Sequence, residues 1–370
     1  MKSVPHKIDL LDGPVTIAGA LDVEHTDTGL IPRRLPAWTR PQLTDSYMRL
    51  MVPRPAGVRL VFRTDADVLE LDVFVTRYRN AYHQLFKVSF DAVIGGNRIL
   101  SVPVTRGDLG VVRAGQVVET VPGQAETIRF DGLGPSWKDI EIWLPQAALV
   151  ELRELRANGD VAPGGLPSRK WIHYGSSISH CAEAGGPTDA WPAWVARRAG
   201  LDLTCLAFAG NCHFDPFVAR TIRDLPADVV TLKLGINIQN LDSLKERTFL
   251  PVLHGFLDTV RDGHPDTRLL VVSPIVCPTA EDRAGPCVQD GTGRYVATGT
   301  TSGGLSLRRI RTLLEEAVAV RADPNLTYLD GLSLLGPDDT GDLYDGLHPN
   351  AAGYRRLGER FHDLVFKNPR

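Results

Sequence analysis

Trp171-Ile172-His173-Tyr174-Gly175-Ser176-Ser177-Ile178-Ser179 decides how this chain is read. A short apolar run, Trp171–Tyr174, breaks at a glycine and gives way to small polar residues. That is the composition of a buried strand delivering hydroxyls to a turn at its end. Downstream the pattern recurs, with strand-like apolar runs at Leu203–Phe208, Val229–Leu234, Leu269–Ile275 and Leu326–Leu329. Helical spacing lies between some of them, as in Phe249–Arg261 and Leu307–Arg321. Strands alternating with helices predict a parallel sheet covered on both faces, an α/β domain. Ligands in such folds bind outside the carboxyl ends of the strands.

Upstream of Lys170 the periodicity differs. Val58–Arg63, Val68–Val75, Phe86–Asp91 and Ile140–Leu144 carry β-branched and aromatic residues with full or partial alternation. Gly and Pro punctuate these runs at short intervals, which predicts an all-β sandwich of jelly-roll type. Val161–Pro167 reads as a linker. The expected organisation is a β-sandwich domain over 1–160, a linker over 161–169 and an α/β domain over 170–370. No internal repeat interrupts it.

Composition bounds the function. The 370 residues leave room for two domains, and 43% hydrophobic with 23% charged residues is ordinary for a globular protein. A formal net charge of -3 exerts no pull toward nucleic acid, and no nucleic-acid-binding motif is present. No stretch approaches the roughly eighteen apolar residues of a membrane span. Met1–Lys7 is not followed by an apolar run of the length a secretion signal needs. Five cysteines, an odd number without a CxxC pair, suit free thiols in a reducing cytoplasm; a Cys277–Cys287 bridge is the alternative. The expected partner is a small-molecule or carbohydrate substrate, and nothing here speaks to the oligomeric state.

The residue types that carry chemistry gather at predicted strand ends. Asp345-Gly346-Leu347-His348 puts an acid and an imidazole three apart on one turn, able to orient and polarise a distant hydroxyl. Asp345 could instead cap the helix expected over Asn350–Phe366, although Asn350 is better placed to do so. Ser177, after Trp171–Tyr174, is the candidate hydroxyl; its rival reading is a turn serine that satisfies backbone groups. It lacks the G-x-S-x-G elbow of the α/β-hydrolases. Gly210 follows the run Leu203–Phe208 and could bring a backbone N–H to an oxyanion, or simply make a turn. Asn237, after Val229–Leu234, offers a neutral amide donor, or closes a turn.

Taken in order, Gly175-Ser176-Ser177-Ile178-Ser179, Gly210, Gly235-Ile236-Asn237 and Asp345-Gly346-Leu347-His348-Pro349 resemble the SGNH (GDSL-type) hydrolase family, from about Lys170 to Phe366. The resemblance implies a flavodoxin-like three-layer α/β/α fold. It implies Ser177 as nucleophile, His348 as general base and Asp345 as its orienter. The backbone N–H groups of Ser177 and Gly210 and the side chain of Asn237 would form the oxyanion hole. Three departures stand out: Ser176 replaces the usual Asp, His213 stands where the second glycine of the Gly210 block falls, and Ile238 follows the Asn. Upstream, Trp137–Pro145 resembles the end of the β-sandwich domains, similar to carbohydrate-binding modules, that precede some esterase domains. Some bacterial acyltransferases that tailor polyketides share this two-domain layout.

The expected activity is a serine esterase acting through an acyl-enzyme, without a cofactor. The alternatives are an acyltransferase delivering the acyl group to an alcohol, and a non-catalytic glycan-binding protein. His180, Cys181, Cys212 and His213 would flank the pocket, but no pair has zinc-motif spacing, so no metal is expected. Trp191 and Trp194 are read as core packing, with contact to an acyl group as the rival. The aperiodic stretch 278–304 is read as a substrate-facing loop, with disorder as the rival.

Overall fold

Strands β1 (Arg169–Gly175), β2 (Leu201–Ala207), β3 (Val229–Lys233), β4 (Arg268–Val272) and β5 (Leu326–Leu329) form one parallel sheet in the order β2-β1-β3-β4-β5. This is the flavodoxin-like order, in which the chain reverses direction across the sheet between β1 and β3. The computed structural model describes residues 6–79, 85–113, 116–299 and 301–367. Met1–Pro5, part of the stretch read for a secretion signal, lie outside these. Contacts divide the chain into two compact units, one comprising Met1–Ser168 with Ala184–Ala193, the other Arg169–Glu183 with Trp194–Arg370.

The parallel sheet is buried on both faces, which is why its strands read as continuous apolar runs. In β1, Trp171 stacks on Phe361 at 5.8 Å, while Tyr174 stacks on Phe256 at 5.4 Å. Residues three apart on a strand point to opposite faces. The helix Ala351–His362 thus covers one face and the helix Glu246–Gly263 the other, completing three layers. The helix read at Leu307–Arg321 has those bounds, started by Ser306, whose Oγ accepts from Arg309 N at 3.3 Å. Helices Ser177–His180, Pro216–Asp224 and Ile236–Leu241 are too short to impose a legible period on the sequence.

In the other unit, Val68–Arg79 is central to one sheet, paired antiparallel with Glu126–Asp131 and Ala148–Ala157. Lys138–Trp143 is central to the second, between Arg59–Thr64 and Ser89–Ile94. This is a β-sandwich. Leu69, Leu71, Val73 and Val75 are buried, while Glu70 and Asp72 between them pair with Arg156 at 3.2 and 2.6 Å. Val161–Pro163, within the stretch read as a linker, adds an edge strand beside Arg59–Thr64. The strand read at Phe86–Asp91 runs Ser89–Ile94 and is buried throughout. Its polar Asp91 is buried because Thr188 Oγ1 donates to it at 2.7 Å. Among the described residues no helix is long and apolar enough to cross a membrane.

Trp171, fully buried and ringed by His173, Phe361 and Phe366, anchors β1. Trp171→Ala is expected to destabilise the α/β unit by about 3–5 kcal/mol. A lowered denaturant midpoint with an unchanged slope checks this.

Candidate active site

The turn after β1 is built from β1 itself. Gly175 is required there, since a Cβ would lie 2.6 Å from Ser179 Oγ. Trp171 Nε1 donates to Thr231 Oγ1 at 2.8 Å, and His173 lies between Thr231 Oγ1 at 2.7 Å and Ser179 Oγ at 2.8 Å. Burial pushes His173 down to about 3, with Lys233 adding to the effect, so this bridge is neutral. It ties β1 and β3 to the turn. Ser176 begins the helix Ser177–His180, its Oγ accepting from Ile178 N at 3.4 Å. It fills the cap role open to the Asp it replaces. Ser177 alone in this turn is partly exposed.

His348 reaches that serine. Its Nε2 lies 2.9 Å from Ser177 Oγ, and its Nδ1 lies 2.7 Å from Asp345 Oδ2. A carboxylate only accepts, so Nδ1 carries the proton, and in the neutral ring Nε2 accepts from the serine hydroxyl. Asp345 Oδ1 accepts from Leu347 N at 2.9 Å and His348 N at 2.7 Å, which locks the carboxylate on its own turn. Gly346 sits at φ +83 and lets the turn close. Capping of the next helix falls to Asn350, whose Oδ1 accepts from Gly353 N at 2.9 Å. Asp345 is thereby left to the imidazole.

Gly210 and Asn237 present donors. Gly210 has φ +68, and the peptides on both sides of it are held by side chains. Asn211 Nδ2 donates to Ala209 O at 2.8 Å, and His213 Nε2 donates to Gly210 O at 2.9 Å. The N–H of Gly210 and that of Ser177 meet no acceptor among the described residues. Asn237 follows Gly235, where φ is +105 and a Cβ would lie 2.5 Å from Ile310 Cγ2. Its Oδ1 accepts from Cys212 N at 3.1 Å, and its Nδ2 meets no acceptor among the described residues.

Electrostatics favour a proton on His348. Burial works against the imidazolium, but the Glu183 carboxylate and the Asp345 hydrogen bond outweigh it and hold the group above the usual histidine range. Burial likewise opposes the charge on Asp345, yet the His348 contact and two backbone N–H groups keep it below the usual carboxylate range. The two directions agree.

The other residues singled out in the sequence lie as follows. His180, Cys181, Cys212 and His213 each contact a backbone carbonyl, and the described residues contain no group of three His, Cys, Asp or Glu able to hold a metal. Cys277 and Cys287 are both free thiols, the latter donating to Gln239 Oε1 at 3.3 Å. Trp191 is fully buried, and Trp194 packs edge-on to His362 at 6.2 Å. Within the stretch 278–304, Cys287–Gln289 and Tyr295–Ala297 form a hairpin. Tyr295 N donates to Asp345 O at 2.9 Å, and the Tyr295 ring meets His348 edge-on at 5.5 Å. Sequence reasoning missed Tyr295, Tyr344 and Glu183. Strands of three residues are too short for periodicity to reveal Tyr295, and no motif marks the other two.

Residues 173–356 match the model of the GDSL-like lipase/acylhydrolase family. Among solved structures, the salicylyl-acyltransferase SsfX3 from a tetracycline biosynthetic pathway aligns with a TM-score of 0.79 and 25% identity, over 96% of this chain and 95% of that one. A family two carbohydrate esterase from Clostridium thermocellum aligns with a TM-score of 0.62 and 15% identity, over 95% of this chain and 98% of that one. An acetyl xylan esterase (Est2A) from Butyrivibrio proteoclasticus gives 0.58 and 11%, over 98% of each chain. The last two likenesses are of fold. No curated protein matches the chain. Through residues 173–356 the chain belongs to the GDSL-like lipase/acylhydrolase family, and it is an enzyme of ester hydrolase or acyltransferase type.

Proposed function

We propose that the chain is a serine esterase that cleaves a carboxylic ester through an acyl-enzyme on Ser177. The observation that carries this reading is the relay Ser177 Oγ–His348–Asp345, with contacts of 2.9 and 2.7 Å. In the proposed cycle Ser177 Oγ bonds to the ester carbonyl carbon as its proton passes to His348 Nε2. The carbonyl oxygen becomes an oxyanion facing Ser177 N, Gly210 N and Asn237 Nδ2, where one donor is typically worth ~3 kcal/mol. Collapse breaks the bond to the alkoxy oxygen, which leaves with the proton from His348. Water then attacks the acyl-enzyme with His348 again as base, releasing the acid and restoring Ser177. Asp345 holds the tautomer and stabilises the imidazolium without taking the proton.

This reading assigns catalysis to residues 170–370 and keeps 1–160 as a separate β-sandwich domain joined through 161–169. The substrate is a small-molecule or carbohydrate ester. A cytoplasmic location belongs to the same proposal, supported by five free cysteines. A second reading, acyl transfer to an alcohol, is favoured by the end-to-end likeness to a salicylyl-acyltransferase. In that case the acceptor hydroxyl takes the place of water. A non-catalytic glycan-binding role leaves the relay and its donors without a purpose.

On a short chromogenic ester, Ser177→Ala is expected to lose turnover by at least about a thousandfold, and Asn237→Ala to lose roughly a hundred- to a thousandfold in kcat. Equal turnover by Ser177→Ala and wild type would overturn the reading. Because His348 must be neutral to act and its pKa is raised, activity is lost as pH falls through a value above the ordinary histidine range. The acid limb of kcat/KM is expected above about 6.5, and a midpoint below about 6 would contradict the assignment of the base. Product partition separates the two readings. With increasing acceptor alcohol, a hydrolase continues to yield free acid, whereas a transferase shifts to the new ester.

A further inference from the structure

We infer that Glu183 is a positioning residue of this site, tying Tyr344 against His348 and setting a second carboxylate beside the imidazole; the inference rests on the reading of His348 as the base. Glu183 follows the helix Ser177–His180 in the chain. Its Oε2 accepts from Tyr354 Oη at 2.7 Å and its Oε1 from Tyr344 Oη at 3.3 Å. Tyr354 is fully buried on the helix Ala351–His362, and Tyr344 directly precedes Asp345. The Tyr344 ring stacks on the His348 ring at 6.2 Å with planes 28° apart. One carboxylate thus joins the segment after the nucleophile to both sides of the Asp345–His348 turn.

Both contacts to Glu183 come from phenols, one to each carboxyl oxygen. Among the described residues no Lys, Arg or His forms an ion pair with it. Burial first, and Glu183 next, push the phenols of Tyr344 and Tyr354 upward, so they remain donors across the working pH range. Among the described residues the groups around His348 are Asp345 and Tyr344 on its own turn, Ser177 from the β1 side and Tyr295 from the hairpin, with Glu183 bonded to the Tyr344 phenol. Arg294 approaches the turn from the hairpin, its Nη2 3.5 Å from where a Gly346 Cβ would stand. In this setting the charge that Glu183 is placed to meet is the imidazolium formed when His348 takes the serine proton.

The test compares Glu183→Gln, which keeps shape and removes charge, with Glu183→Asp, which keeps charge. The His348 imidazole is titrated by NMR in each, alongside the pH profile of kcat/KM on a chromogenic ester. Glu183→Gln is expected to lower both the NMR midpoint and the acid limb by about one unit, and Glu183→Asp to restore most of that shift. Tyr344→Phe, which keeps the ring and the Glu183 charge, is expected to shift the midpoint less than Glu183→Gln. A folded Glu183→Gln with a wild-type midpoint in both measurements would overturn the inference. The NMR readout needs no turnover, so it stands apart from the proposed function, which fails instead if Ser177→Ala retains activity.

Discussion

The 2.9 Å contact between His348 Nε2 and Ser177 Oγ joins groups 171 residues apart, and the architecture of the α/β unit serves to make it. One partner is fixed by β1 and the other by a turn just before the helix Ala351–His362, which packs its Phe361 on Trp171 of the same strand. The scaffold contact and the site contact therefore share two elements. A shift of that helix along β1 would separate serine from imidazole by the same amount. Rigidity here comes from close-packed rings rather than from the polar groups themselves.

The polar groups set the chemistry once the scaffold has placed them. A buried imidazole would ordinarily be a poor base, because burial disfavours its charged form. Two carboxylates reverse that. Asp345 is bonded to the ring, and Glu183 is held by two phenols, one of them on the Tyr344 ring that stacks on His348. The N–H groups of Ser177 and Gly210 and the side-chain amide of Asn237 are donors of another kind, all neutral.

Much of this was legible in the sequence, for a physical reason. Strands buried on both faces must be apolar throughout, so Trp171–Tyr174 and Val229–Leu234 declared themselves, and the turns after them inherited the site. The β2-β1-β3-β4-β5 order was not legible from periodicity, since pairing depends on contacts between distant segments; it came with the family resemblance. Alternation misled at Ser89–Ile94, where a hydrogen bond from Thr188 allows Asp91 to be buried. Glu183, outside any strand or helix, and Tyr295, in a strand of three residues, have no period to betray them, and their roles are visible only through what they touch. His213 is the opposite case. It departs from the family pattern in the sequence itself, and its ring bridges Gly210 O and Ser243 Oγ, both at 2.9 Å.

The central claim is that Ser177 is the atom on which the acyl group rides. An organofluorophosphonate, which bonds covalently to activated serine hydroxyls, addresses it directly when the modified peptide is identified by mass spectrometry. The account predicts a single phosphonyl adduct on the peptide containing Ser177, with loss of labelling in His348→Ala. An adduct on a different serine, or labelling at Ser177 unaffected by removal of His348, would contradict it.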